Sequence, residues 1–242
     1  MATWEPLATF TDLPAVEEPQ VPVGSLPSVA PGNEILESAP PATPTPPWEE
    51  ERPFLQRLVE TIQKVLLSPS EAFANVPADS NILRALGFTI IVGWPATVVS
   101  LCYEVARAFV MPQGADEPAP AVTAIISGVL AVFAPVLLVI GAFISSAIFH
   151  GVLMMLGAAS RPYWATFRVI AYVNGATMAL LLVPFCGSIV QTFWAFFCLA
   201  VGLKTVHATT WANAIITVLL PAVICCGIVI AIISLGYMQF LQ

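Results

Sequence analysis

Charged side chains are missing from long parts of this chain. Residues 121–149 contain no Asp, Glu, Lys or Arg, and this run is longer than the roughly 20 apolar residues that cross a bilayer core. Over all 242 residues only 10% are charged, whereas soluble domains carry about 25%. Because so few polar side chains cannot cover a water-facing surface, the sequence predicts an integral membrane protein.

Five apolar stretches, each near the length that a bilayer core requires, follow one another after residue 80. They cover approximately residues 82–109, 121–156, 164–185, 188–207 and 211–238. Pro95 and Pro135 are predicted to bend the first and second stretches, and Pro221 interrupts the fifth. Residues 184–187 are predicted to form a tight turn, since a kink there would leave only four spans. The predicted fold is all-α: a polytopic bundle of five transmembrane helices over residues 81–242, whose last two helices form an antiparallel hairpin.

The first 49 residues have a different composition. Residues 1–50 hold eight acids and no Lys or Arg, and residues 1–47 hold eleven prolines without helical or strand periodicity. This predicts a disordered, acidic cytoplasmic tail over residues 1–49. The alternative is a docking tail, in which residues 44–48 present an extended Pro-Thr-Pro-Pro-Trp segment to a partner. No basic patch of the kind that binds nucleic acid is present, so nucleic acid is excluded as a partner.

Residues 50–80 are predicted to be helical but too polar to cross a membrane. Apolar residues recur at helical spacing over residues 54–66 opposite a charged face, which predicts an amphipathic helix on the membrane surface. Ser68 and Glu71 have the spacing of a capping box, so a second short helix is expected to follow. Phe73 and Val76 would be its buried contacts.

Basic residues predict the orientation of the bundle. Seven of the eight Lys and Arg residues fall on one side, which the positive-inside rule assigns to the cytoplasm; they are Arg52, Arg57, Lys64, Arg84, Arg161, Arg168 and Lys204. With five spans the N-terminus would then be cytoplasmic and the C-terminus outside. Cys102 and Cys186 both fall near the outer side, where they could form a disulfide or remain free thiols.

Two groups of residues are candidates for interaction. A basic, aromatic-edged cytoplasmic face would bind anionic lipid or an acidic partner segment, unless its charges serve orientation alone; it comprises Arg57, Lys64, Arg161, Tyr163, Trp164, Arg168, Lys204 and His207. Small residues recur every four positions and would allow helices to approach closely; they are Gly141, Ser145, Ala171, Gly175 and Ala179.

The remaining polar residues allow functional and structural interpretations. His150 and His207 could bind a metal or relay protons, or they could simply bond to backbone or lipid headgroups. Asn174, Gln191 and Glu104 could line a polar path. Alternatively, the amides, with Asn213, hydrogen-bond between helices, and Glu104 pairs with Arg107, three residues along the same helix. No catalytic constellation and no metal or cofactor motif is present, so the chain is predicted not to be an enzyme.

A series of short motifs follows in a fixed order through the second half of the chain. The motifs are His150, Leu156-Gly157-Ala158, Thr166, Arg168-Val169, Ala171-Tyr172, Pro184, Gly187, Trp194, Gly202-Leu203-Lys204, Val206-His207, Ala212 and Leu220-Pro221. Their order and spacing resemble the Yip domain family of five-span membrane proteins. The segment from Leu66 to Phe73 is similar to the entry segment of bacterial members. The resemblance covers about residues 54–238.

This resemblance implies a non-enzymatic membrane scaffold or adaptor that associates with itself or with other membrane proteins. Family members were first known as partners of Rab-type GTPases, but the Asp-Leu-Tyr-Gly-Pro motif of the trafficking members is missing here. That difference argues against a small GTPase partner and favours a bacterial inner membrane. The alternative function is a small transporter or channel with a path lined by Asn174, Gln191 and Glu104.

Overall fold

The computed structural model describes residues 46–76, 82–111, 114 and 117–240, with side chains described as far as Ser234. Within these residues every regular element is helical. The α-helices are α1 (Phe54–Leu67), α2 (Pro69–Ala72), α3 (Ile82–Val110), α4 (Pro120–Met155), α5 (Tyr163–Met178), α6 (Gly187–His207) and α7 (Trp211–Phe240). Two short 3-10 helices accompany them, Pro47–Glu49 before α1 and Ala179–Leu182 directly after α5.

Five of these helices are long and apolar enough to cross a membrane. They are α3, α4, α5 with its 3-10 extension, α6 and α7. The five-span, all-α prediction is therefore confirmed. Pro95, Pro135 and Pro221 lie inside α3, α4 and α7, each of which continues through its proline.

The tight turn predicted at residues 184–187 is present. Phe185 takes a left-handed backbone conformation with φ 66°, and the N–H of Cys186 donates to the carbonyl of Pro184 at 2.8 Å. Gly187 then starts α6 with its Cα so close to the Leu180 carbonyl that a side chain would collide with it. The chain can therefore reverse within a few residues, so that α5 and α6 count as separate spans.

Helix α5 lies at the centre of the bundle. It packs against α3, α4, α6 and α1, and twelve of its sixteen residues are buried. By contrast, α4 and α7 expose most of their apolar side chains, as expected for surfaces that contact lipid. The polar groups of α5 are consequently enclosed by other helices.

Helix α1 begins close to the predicted position and covers α5 with its apolar face. Thr61 and Val65 are fully buried, and the Trp194 indole N–H of α6 donates to the Leu66 carbonyl at 3.0 Å. Leu55 and Leu67 on its flanks remain exposed. The helix is therefore a packed part of the bundle as well as amphipathic.

Two details before the bundle differ from the sequence prediction. Ser68 occupies the N-cap position of α2, but its side chain makes no capping hydrogen bond, so the predicted capping box does not form. The helix is instead fixed by its buried neighbours, Phe73 and Val76, as expected. The tail predicted for residues 1–49 also ends earlier, because Pro47–Glu49 is folded and buried. Residues 1–45 of that tail lie outside the described residues.

Candidate functional site

The polar contacts of this protein concentrate at one end of the bundle. The starts of α3 and α5 and the end of α6 meet there with the residues before α1. We call it the basic end, after Arg84, Arg161, Arg168 and Lys204. The Ser160 hydroxyl ties the α4–α5 connection to α6 by donating to the His207 carbonyl at 2.6 Å.

The segment before α1 enters the basic end because its prolines set its path. Pro46 is extended, with ψ 159°, and Pro47 takes the first position of the 3-10 helix, where a missing N–H costs nothing. The N–H of Glu49 then donates to the Pro46 carbonyl at 3.1 Å. This single turn directs both Trp48 and Glu49 into the bundle.

Glu49 forms a buried ion pair with Arg168. An Arg168 Nη2–H donates to Glu49 Oε1, and the Tyr172 hydroxyl donates to the same oxygen at 2.8 Å. Arg168 and Tyr172 are four residues apart on α5, so they project from one helical face. Arg168 is only 2% exposed and Glu49 8% exposed. The buried charge of Arg168 is therefore paired with a carboxylate that comes from outside the spans.

Trp48 is held by contacts from two other helices. Its indole N–H donates to the Arg84 carbonyl at 2.9 Å, and Arg84 Nη1 donates back to the Glu49 carbonyl at 2.5 Å. The Arg57 guanidinium lies 4.5 Å from the indole centroid, within the range of a cation–π contact. Phe88 packs on the same indole, with 5.6 Å between ring centroids. Trp48 is 5% exposed as a result.

A second chain of hydrogen bonds joins the buried Thr166 and His207 to the partly buried His150. The Arg161 N–H lies 3.2 Å from His207 Nδ1, and because a backbone N–H can only donate, Nδ1 is an acceptor. In a neutral ring the proton is then on Nε2, which donates to Thr166 Oγ1 at 2.9 Å. The Thr166 hydroxyl proton is thereby directed to His150 Nδ1 at 2.8 Å. One threonine thus links α4, α5 and α6.

This arrangement includes the backbone bond of the structural interpretation, because His207 accepts from the Arg161 N–H, and adds a side-chain hydroxyl that the sequence did not indicate. In the described part of the chain, no group of three or more His, Cys, Asp and Glu side chains is placed to hold a metal ion. The chain of bonds fastens three helices together at the basic end.

The residues predicted to form an interaction face divide into exposed and buried groups. Arg161 and Trp164 are exposed, and the Lys204 ammonium lies 5.1 Å from the Trp211 ring centroid. Arg168 and His207, by contrast, are inside the bundle, each 2% exposed, so they do not belong to an exposed face.

The other face residues make local contacts. Arg57 covers Trp48, and the Tyr163 hydroxyl donates to the Phe143 carbonyl at 3.1 Å. Lys64 lines a cavity of about 350 Å³ beside Pro47 and Glu50. The exposed basic groups are therefore fewer than the sequence suggested.

The small-residue stripe of α5 contacts α3. The Thr89 hydroxyl donates to the Ala171 carbonyl at 2.8 Å, and a Cβ on Gly175 would lie 2.8 Å from a Phe88 ring carbon. On α4 the small residues that are buried lie one position after the predicted ones. A Cβ on Gly141 would meet nothing within 4 Å, Ser145 is partly exposed, and the neighbouring Ala142 and Ser146 are buried instead. Ala179 begins the 3-10 helix and is partly exposed.

The residues proposed to line a polar path are not brought together. Glu104 accepts a hydrogen bond from Arg107 Nε at 3.2 Å and lines a cavity of about 420 Å³ at the end opposite the basic end, which neither Asn174 nor Gln191 lines. The Asn213 amide bonds to Thr209 within the α6–α7 hairpin rather than across helices.

The cysteines predicted to lie near the outer side are not bonded to each other. Cys102 and Cys186 are both exposed free thiols. The disulfide alternative is therefore not the arrangement in this structure.

The geometry defines a class of protein: a polytopic membrane protein of five helices whose amphipathic entry helix packs on the central span. The family model of the Yip1 domain matches residues 64–233, and the chain belongs to the Yip1 domain family. No curated protein and no solved structure matches the chain. The family match includes Arg168 and Tyr172, but Trp48 and Glu49 precede it.

The sequence did not indicate Glu49, Tyr172 and Thr166 as site residues, and it indicated Trp48 only as part of the docking-tail alternative. A signal existed for an acid such as Glu49, because Arg168 lies within an apolar span and a buried base requires an acid as its partner. No pattern in the sequence indicates that Thr166 joins two histidines that are far apart along the chain.

Proposed function

We propose that this protein is a non-enzymatic membrane scaffold or adaptor that acts through the basic end of its bundle and through helix contacts with itself or with other membrane proteins. The observation that supports this is the pairing of its buried polar groups with one another. Arg168, Glu49 and Tyr172 form one hydrogen-bonded cluster, and His150, Thr166 and His207 form another. Such groups fix the fold instead of offering a wet passage through it.

The groups left at the surface of the basic end are suited to binding. Arg161, Trp164 and the region around Lys204 combine positive charge with aromatic rings. This combination suits anionic lipid headgroups or an acidic segment of a partner. The proposal places the basic end and the N-terminus in the cytoplasm and the C-terminus outside, in a bacterial inner membrane. A small GTPase is not proposed as the partner.

The test removes the exposed charge without touching the buried clusters. We expect Arg161→Gln with Lys204→Gln to reduce the crosslinked membrane partners and the co-purified anionic lipid, while topology reporters at both termini keep their locations. Arg107→Gln at the opposite end is the matched control and is expected to change neither. If the double variant keeps its orientation and binds the same partners and lipids, the charges serve topology alone and the docking proposal is wrong.

A further inference from the structure

The contacts of Trp48 and Glu49 have the form of a bound peptide. Two consecutive residues are recognised through an indole N–H, an aromatic face, a carboxylate and a main-chain carbonyl. The groups that recognise them come from three different helices, and we call them the Trp-Glu socket: Arg57 of α1, Arg84 and Phe88 of α3, and Arg168 and Tyr172 of α5. Peptide-binding sites likewise hold extended Pro-rich segments in aromatic-lined grooves and acidic motifs with Arg side chains.

Residues 50–53 connect the segment covalently to α1. In this connection Arg52 pairs with Glu50 at 2.7 Å and with Glu60 of α1 at 3.0 Å, so the connection is itself held on α1. Because so short a tether keeps the segment beside the socket, its effective concentration there is in the millimolar range. A free peptide competes poorly while the tethered segment is in place.

Resting on the function proposed above, we propose that the Trp-Glu socket is a receptor for partner peptides in which a proline-preceded tryptophan is followed by an acidic residue. The chain's own residues 46–49 occupy it as an intramolecular competitor. Withdrawal of that segment would expose the Arg168 guanidinium, which requires an anion in its buried position. A partner peptide supplies that anion together with an indole for the surface between Arg57 and Phe88.

The experiment releases the segment after the full chain has folded. A protease site is inserted between Glu50 and Glu51, and the purified chain is cleaved in nanodiscs. A fluorescent peptide of residues 41–50 is then titrated against cleaved and uncleaved protein. The variant peptides carry Trp48→Ala or Glu49→Gln. A Glu50→Gln peptide is the matched control, since the Glu50 carboxylate pairs with Arg52, which is not part of the socket.

We expect the peptide to bind the cleaved protein and not the uncleaved one. Both Trp48→Ala and Glu49→Gln should weaken binding about tenfold or more, because each removes a buried hydrogen bond or charge pair. The Glu50→Gln peptide should bind like the unmodified one. The cleaved segment can also stay in the socket at first and then exchange for labelled peptide. That result supports a receptor as well.

Four results would overturn the proposal. The cleaved protein could lose its fold when the segment leaves, which would make the segment part of the core. It could stay folded without binding the peptide, or bind the Glu49→Gln peptide equally well. Displacement of the peptide when phosphatidylglycerol replaces phosphatidylcholine in the nanodisc would assign the socket to a lipid headgroup. None of these results alters the outcome of the Arg161 and Lys204 crosslinking test, so the two proposals fail separately.

Discussion

Replacing Glu49 with alanine tests whether the segment before α1 stabilises the bundle. The substitution removes the carboxylate that binds the Arg168 guanidinium and the Tyr172 hydroxyl, both of them buried. Removing one member of a buried ion pair costs about 3–5 kcal/mol, because the other charge stays in a poorly solvated position. A chain of this size loses about 2–4 °C in melting temperature per kcal/mol, so the expected decrease is roughly 6–20 °C.

Thermal unfolding in detergent, followed by circular dichroism, measures this decrease. Glu51→Gln is the control, since Glu51 is an exposed acid in the same segment. Its effect is expected to stay within about 0.5 kcal/mol, as for other surface substitutions. The comparison separates the buried ion pair from a general effect of lost negative charge.

A double variant distinguishes the ion pair from simple loss of packing. Adding Arg168→Met to Glu49→Ala removes the buried charge as well, and replacement of a buried pair by apolar groups is often neutral or stabilising. We therefore expect the double variant to regain most of the lost melting temperature. Wild-type stability of Glu49→Ala, or a double variant less stable than Glu49→Ala, would refute the reasoning.

Three further pairs of variants test other parts of the bundle. Gly175→Ala is expected to cost about 1–3 kcal/mol, because its methyl group would collide with a ring of α3, whereas Gly141→Ala, which meets open space, should be neutral or stabilising by up to about 1 kcal/mol. Thr166→Val should cost about 1–3 kcal/mol by removing the bond to both imidazoles, and Thr166→Ser should restore it. Deleting residues 2–45 is expected to leave the melting temperature unchanged, while deleting residues 2–49 should lower it as Glu49→Ala does. All of these variants are measured by thermal unfolding in detergent. Equal melting temperatures for the two glycine variants would contradict the close contact of Gly175 with α3, and a Thr166→Val variant as stable as wild type would contradict the bonds to the imidazoles. Equal melting temperatures for the two deletions would contradict a stabilising role of residues 46–49.

The spans were predictable because hydropathy alone determines them. A helix in lipid needs a run of apolar residues of fixed length, and each of the five runs satisfies this condition independently of the others. The turn before Gly187 was predictable for a similar reason, since proline and glycine act locally. The amphipathic spacing of α1 likewise predicted its helix and its apolar face, but not that α5 would lie beneath it.

The candidate site was predicted less well because its contacts are long-range. Glu49 and Arg168 are 119 residues apart, and the bond between Thr166 and His207 joins residues 41 positions apart. Residues 1–49 are rich in proline and acidic residues. A prediction of disorder from the composition of this whole segment therefore includes Trp48 and Glu49 in the tail. Gly141 of α4 is a further example. The spacing of small residues identified this glycine, but it could not show that the neighbouring helix lies on another side of α4.

The position of Arg168 nevertheless restricts which acid could pair with it. The five spans contain a single acid, Glu104, which lies at the opposite end and pairs with Arg107. The partner of Arg168 therefore had to come from outside the spans. Among the acids that precede α3, Glu5 and Glu49 each follow a tryptophan, and Glu49 is the one close to the start of α1. The indole of Trp48 can be buried with it, so that apolar contact offsets part of the cost of desolvating a carboxylate. A buried base in a span thus predicts an acid beside an aromatic residue in the segment that directly flanks the bundle, and Trp48 and Glu49 are that pair in this chain.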